Sequence, residues 1–340
     1  MRRAVIDIGT NTLLLLIVEV DAAGGLTRVY DGCRFGRLGQ GLDASGRLHP
    51  DAIERSLAIC REYAALIADH GATQVDVIAT QALREAGNAA AFVTPAAAIL
   101  GAPIATIAGE REAELAFLAA SRSLPALAGK PFVVADVGGG STEVIVTDGA
   151  RVVTAVSVPI GAVRLAERHL PHDPPTDADA AALFAGIDDH LARFVPTLPT
   201  GVTLVASAGT ATTLAALDLQ LPAYDPDRVH GHALAPATVE GWTQRLLAMT
   251  TAERRALPGM EAPRADVIAA GAAIFARLAA RLDAPAIVVC DRGIRWGLAY
   301  ALNPSEGLST HPPPAGSCPR RGPRPIREIP PQGGPHKVTT

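Results

Sequence analysis

Lysine is almost missing from this sequence. Only Lys130 and Lys337 occur among 340 residues, so nearly all of the positive charge is arginine. Any site for a phosphate group must therefore draw on arginine, backbone N–H groups or a metal ion. Cysteine is scarce too. Cys33, Cys60, Cys290 and Cys318 stand far apart with no C-x-x-C pair, which argues against a cysteine zinc site or a disulfide framework and fits a reducing compartment. No apolar run approaches the roughly 18 residues of a membrane span. The early "LLLLIV" is only six residues long before Glu19, short of the roughly 7–15 residues in the apolar part of a signal peptide. Net charge is small, −4 at pH 7, too little to attract nucleic acid or an anionic membrane. The expectation is a cytoplasmic protein with no nucleic acid and no membrane among its partners.

What is plentiful is apolar surface. Hydrophobic residues make up 49% of the chain and mean hydropathy is +0.23, enough for a sizeable core. The length suits two domains at roughly 150 residues each. The texture changes at Asn303, after which ten prolines fall in 38 residues without apolar periodicity; residues 303–340 are expected to be a disordered tail. Before that point strand and helix patterns alternate, which predicts an α/β fold. "RAVIDI", "TLLLLIVEV" and "GGLTRVY" read as three strands, followed by a helix from Pro50 to about His70. The order then recurs. "PFVVADV", "TEVIVTD" and "ARVVTAVSV" are three strands, and "GAVRLAERHL" opens a helix. This internal repeat predicts two related halves, 1–128 and 129–302. Its anchor is a pair of turns, "IDIGTNT" at Ile6–Thr12 and "ADVGGGST" at Ala135–Thr142, whose aspartates lie 129 residues apart.

Three glycines in a row sacrifice conformational entropy, and a bound anion is the first candidate to compensate. A Walker A loop is excluded because neither turn carries its lysine. A dinucleotide fingerprint is excluded because a strand, not a helix, follows. In a strand–turn–strand loop, successive backbone N–H groups at Gly9, Gly138, Gly139 and Gly140 can converge on an anion. Thr10, Asn11, Thr12, Ser141 and Thr142 add donors. Asp7 and Asp136 end the preceding strands, where a carboxylate suits Mg²⁺ shared with substrate phosphates. Two such halves would form a clamp around one metal.

Further stretches carry two readings each. "ASAGTATTLAALD" starts a helix at Gly209 and Thr210, either as an anion site or as an ordinary N-cap. "IAGEREAELAFL" places Glu110, Glu112 and Glu114 in a first helical turn, where they suit the helix dipole or supply a general base; spacing does not choose among them. Arg37, Arg84, Arg164, Arg264 and Arg292 stand at element ends, where a guanidinium can receive phosphate oxygens. Arg84 is the preferred candidate among them.

In this order, "AVIDIGTNT", "IATQALREAGN", "IAGEREAEL", "VVADVGGGSTEVIV", "SVPIGAVRL", "SAGTATTLAAL", "RADVIAAG" and "DRGIRWGL" resemble the exopolyphosphatase/guanosine pentaphosphate phosphatase family, from about Arg3 to Leu302. The resemblance implies a duplicated actin/Hsp70-like (ribonuclease H-like) fold around a cleft. It also implies Mg²⁺-dependent hydrolysis of terminal phosphoanhydride bonds in inorganic polyphosphate or guanosine pentaphosphate. By position it puts the catalytic glutamate on Glu112, the acidic pair on Asp136 and Glu143, and the metal among Asp7, Asp136 and Glu143. Two departures stand out. The family's S-G-x-E-E-A is Ala108–Ala113 here, without the serine and the first of the paired glutamates. An arginine common after the first loop is replaced by Leu13-Leu14-Leu15. The chain resembles the short, two-domain members. Polyphosphate is the preferred substrate, and a homodimer is left open. An actin-like small-molecule kinase and a non-catalytic polyphosphate-binding protein remain as alternatives that share the loops.

Overall fold

A computed structural model describes residues 1–303; the expected Pro-rich tail lies outside the described residues. Five strands form the first sheet: β1 (Arg2–Ile8), β2 (Leu13–Val20), β3 (Leu26–Arg34), β4 (Gln74–Ala79) and β5 (Ile104–Thr106), in the order β3-β2-β1-β4-β5. Six form the second: β6 (Phe132–Val137), β7 (Thr142–Thr147), β8 (Val152–Val158), β9 (Thr203–Ser207), β10 (Ala233–Leu234) and β11 (Ile287–Cys290), in the order β10-β11-β9-β6-β7-β8. Setting β10 aside, the two orders are the same. Each sheet opens with an antiparallel meander and continues through parallel strands. This is the duplicated, ribonuclease H-like architecture of the actin/Hsp70 type. All strands of the first sheet precede residue 107 and all strands of the second follow residue 131.

The helices that matter for the cleft are α1 (Pro50–Asp69), α2 (Gln81–Glu85), α3 (Gly109–Ser123), α4 (Ala162–His169), α5 (Asp177–Phe194), α6 (Ala208–Asp218), α7 (Ile268–Leu282) and α8 (Ile294–Leu302). Most follow their sequence patterns. α2 and β10 do not: five residues and two residues are too short to show a periodicity. α7 starts at Ile268, after Ala262–Arg264 forms a separate 3₁₀ turn with Pro263 inside it.

The apolar residues sort into three clusters. One covers the outer face of the first sheet under α1. A second covers the outer face of the second sheet with α4, α5 and α7. The third lies between the sheets, joining Val5, Leu16 and Ile78 to Val134, Ile145 and Val205 through α3 and α8. Strands buried on both faces need unbroken apolar runs, which is why "AVI" and "FVVA" precede the two aspartates.

Candidate active site

Strand periodicity dictates where the acids point. Alternate residues of a strand face opposite sides of its sheet. In β1, Ala4, Ile6 and Ile8 face the outer cluster and Val5 the inner one, so Asp7 shares the inner face. In β6, Val133, Ala135 and Val137 face outward and Val134 inward, so Asp136 also faces inward. Glu143 is the direct cross-strand partner of Asp136. On α3, Glu112 is buried beside Ala113 and Leu115, while Glu110 and Glu114 are exposed. Helix geometry thus selects Glu112 among the three glutamates. All four carboxylates are buried and line one cleft of about 510 Å³.

The two hairpin turns form the head of that cleft. Gly9 N donates to Thr12 O at 2.9 Å, and Gly138 N donates to Ser141 O at 3.0 Å, so both halves close their turns with the same bond. Loop carbonyls are taken up from behind. Gly39 N donates to Thr10 O and Arg37 N to Asn11 O, while Val163 N and Arg164 N donate to Gly139 O. Among the described residues, no protein acceptor takes the backbone N–H of Thr10, Asn11, Gly139 or Gly140. The loops also meet. A Cβ on Gly139 would lie 2.9 Å from Thr10 Cβ, so only glycine allows this approach. Unpaired N–H groups converging from two turns make a concave anion site.

The electrostatics are one-sided. Seven carboxylates and three guanidinium groups line the cleft. Burial, reinforced by Glu112 and Asp136, pushes the Asp7 carboxyl up to about 8. Burial and then Glu112 raise Asp136 to about 7. Burial, with Glu112 and Asp136, raises Glu143 to about 8 against hydrogen bonds from Ser157 and Ser141. Glu112 is raised by burial and opposed by Arg84, whose Nη1 donates to Glu112 Oε1 at 2.6 Å and to Ile107 O.

A divalent cation fits this set. The donors are hard oxygens, and Asp7 Oδ1 is buried with no hydrogen-bond partner among the described residues. Yet among the described residues no three His, Cys, Asp or Glu side chains are grouped so as to hold a metal ion. The expectation that Asp7, Asp136 and Glu143 together make the ligand set is corrected: they share a cleft but not a single coordination point. Mg²⁺ usually takes one or two carboxylates and completes its shell with water and substrate phosphates.

Of the other expected residues, Thr10, Asn11, Thr12, Ser141, Gly209 and Thr210 line the cleft. Two corrections are needed. Thr142 is fully buried and its hydroxyl donates to Ile160 O at 2.7 Å, because position 142 already belongs to β7. Arg84 lies off the cleft wall and is engaged with Glu112. Arg37 pairs with Asp266, Arg164 with Asp43 and Glu85, and Arg292 stacks on Trp296. Only Arg264, of the five arginines weighed, lines the cleft.

Sequence reasoning missed Gln81, Asp31, Asp291 and Arg295, all on the wall. Arg295 is buried and held by both oxygens of Asp31 at 2.9 and 3.0 Å. Burial works against its charge, but Asp31 and Asp291 outweigh this and raise its pKa above the ordinary arginine value. A signal was present: Arg295 is the lone charge in the apolar helix "IRWGLAYAL", and a buried charge implies a partner. Asp31 sits 264 positions away in sequence, beyond the reach of local pattern.

Residues 16–306 match the Ppx/GppA phosphatase family. The chain is 40% identical over 315 residues to exopolyphosphatase 2 of Mycobacterium tuberculosis, spanning 88% of this chain and 98% of that protein. It is similar to the crystal structure of the Aquifex aeolicus Ppx/GppA family member, with TM-score 0.74 and 33% identity, covering 89% of this chain and 97% of that one. It is also similar to an exopolyphosphatase from Cytophaga hutchinsonii, with TM-score 0.81 and 25% identity over 89% of this chain and 97% of that one.

Proposed function

Because the chain belongs to the Ppx/GppA phosphatase family and so is a phosphoanhydride hydrolase, we propose that its substrate is inorganic polyphosphate, shortened by one terminal phosphate at a time. The observation that carries this reading is the meeting of the two turns. Their unpaired N–H groups belong to loops that line one cleft with Glu112. The likeness to proteins named exopolyphosphatase along nearly their whole length supports polyphosphate over other phosphoanhydrides.

In this reading, Thr10, Asn11, Gly139 and Gly140 hold the terminal phosphate through backbone N–H groups, with Ser141 beside them. Fixed donors of this kind stabilise charge developing on phosphate oxygens, which is most of what phosphoryl transfer requires. Glu112 orients the attacking water and takes its proton. Burial raises its pKa above the ordinary carboxylate value, which makes it a stronger base than a free glutamate. Arg84 fixes the Glu112 carboxylate. One or two carboxylates of the cleft, Asp7 with its unpartnered Oδ1 foremost, would hold Mg²⁺ together with water and substrate phosphates; when bound, the ion would offset the excess of carboxylates and neutralise phosphate charge.

Phosphate release from long polyphosphate, short polyphosphate and guanosine pentaphosphate, measured side by side with Mg²⁺, tests the proposal. Release from polyphosphate is expected. Release from guanosine pentaphosphate alone would replace polyphosphate as the substrate, and release from none would sink the reading.

A further inference from the structure

Gln81 opens α2, and its side chain sits where the two hairpin loops meet. Its Oε1 accepts a hydrogen bond from the Thr10 hydroxyl of the first loop at 3.1 Å. The same amide lies over Gly140 of the second loop, so closely that a Cβ at position 140 would strike it. Gln81 lines the cleft and is only 3% exposed. Its Nε2 is buried and, among the described residues, has no hydrogen-bond partner. Buried polar groups in native proteins are nearly always satisfied, and each exception calls for an explanation.

The surroundings supply one. The amide stands at the seam of the two loops, Oε1 against both and the unpartnered Nε2 near Gly140, and the loops' own N–H groups are unpaired among the described residues. An anion held by both loops would present its oxygens to this amide. The guanidinium groups of the cleft are already committed, Arg295 to Asp31, Arg34 to Glu62 and Arg264 to Glu261. An amide can donate here without being captured by the neighbouring carboxylates as a lysine would be.

We propose that Gln81 is a substrate ligand, donating from Nε2 to a phosphate oxygen shared by the two loops while Oε1 keeps the loops joined through Thr10. The proposal rests on the reading of the cleft as a polyphosphate site. It assigns α2 two tasks, since Arg84 on the same short helix fixes Glu112.

The test compares Gln81→Leu and Gln81→Glu with the unaltered protein. It measures phosphate release from polyphosphate, inhibition by inorganic phosphate, and the thermal shift given by inorganic phosphate. The assay is run at alkaline pH, where an introduced carboxyl is ionised. Loss of a hydrogen bond to a charged group should lower kcat/KM roughly 10- to 100-fold in the Leu variant, and the inhibition constant for phosphate should rise in parallel. The Glu variant should be worse, because it sets a carboxylate against phosphate oxygens. If Gln81 only pins Thr10, the order reverses: Glu keeps an acceptor for the Thr10 hydroxyl and stays near the unaltered protein, whereas Leu loses it. That order, or phosphate inhibition unchanged in both, overturns the proposal. Gln81→Met takes the place of Leu if the latter does not fold. Should the unaltered protein release no phosphate from polyphosphate, the substrate reading fails instead, and the thermal shift with inorganic phosphate still decides the role of Gln81.

Discussion

Asp136 and Glu143 stand directly opposite each other on β6 and β7, two buried carboxylates on one face of one hairpin. In the first hairpin the place opposite Asp7 is taken by Leu14. The duplication kept the turns but not this pair, so the paired acids belong to the second half and the first contributes Asp7 and loop amides. Glu143→Gln preserves size while removing the charge. It should lower phosphate release by roughly a hundredfold or more, whereas Leu14→Met, which conserves volume, should change it little. Equal effects of the two substitutions on initial rates would contradict the asymmetry.

Glu112→Gln removes the proposed base and leaves the loops intact. Turnover should fall roughly 10²- to 10⁴-fold, with polyphosphate binding retained in an equilibrium binding assay. Loss of binding together with turnover would show that Glu112 acts on substrate affinity instead.

Arg84→Ala separates orientation from phosphate contact. Arg84 donates to Glu112 and to Ile107 O from outside the cleft wall, so kcat should drop more than KM rises. Arg84→Lys should recover only part of the loss, because both hydrogen bonds leave Nη1 and a lysine side chain, one atom shorter, does not place its ammonium at that point. A dominant rise in KM, steepened by low salt, would point to direct phosphate contact.

The raised carboxyls set a pH dependence whose sign runs opposite to the common one. Asp7, Asp136 and Glu143 stand near 8, 7 and 8 in the folded chain and near 4 in an unfolded one. Between about pH 4 and about pH 8 the folded state therefore holds more protons, and stability falls as pH rises. Above about pH 8 these groups add no further slope. A metal ion binds deprotonated carboxylates, so a stabilising effect of Mg²⁺ held by these groups should be larger at about pH 9 than at about pH 6. Thermal unfolding in chelator and in Mg²⁺ at both values checks this; a larger shift at the lower pH would count against a carboxylate-bound cation.

The strands, the repeat and both turns were legible in the sequence because each depends on local pattern: apolar runs ending in aspartate, then glycines and small polar residues. Glu112 was not separable from its neighbours by spacing, and became so once α3 was seen wedged between two sheets. Thr142 falls both in the turn and in the strand pattern "TEVIVTD"; it is the first residue of β7, and its hydroxyl is taken by Ile160 O rather than offered to the cleft. Arg295 with Asp31, and Gln81 with Thr10 and Gly140, escaped notice for a different reason. Their partners are set by how the two halves approach, and no window along the chain contains both members.

That approach depends on a helix crossing that a single methyl group should disturb. Gly297 of α8 lies against the Leu115 backbone of α3, where a Cβ would collide with the carbonyl. Backbone cannot rotate aside as a side chain would, so Gly297→Ala must push the two helices apart. Overpacking of this kind typically costs about 1–3 kcal/mol. Glu112 sits one turn before Leu115 on α3, so the displacement should also lower turnover. Gly241 provides the control. It is exposed in the helix Pro236–Leu247, with open space where its Cβ would go, and Gly241→Ala should stabilise by about 0.5–1 kcal/mol with activity unchanged. Denaturant unfolding and initial rates on both variants check the pair. If Gly297→Ala were as stable and as active as Gly241→Ala, the crossing would not be what holds Glu112 in the cleft.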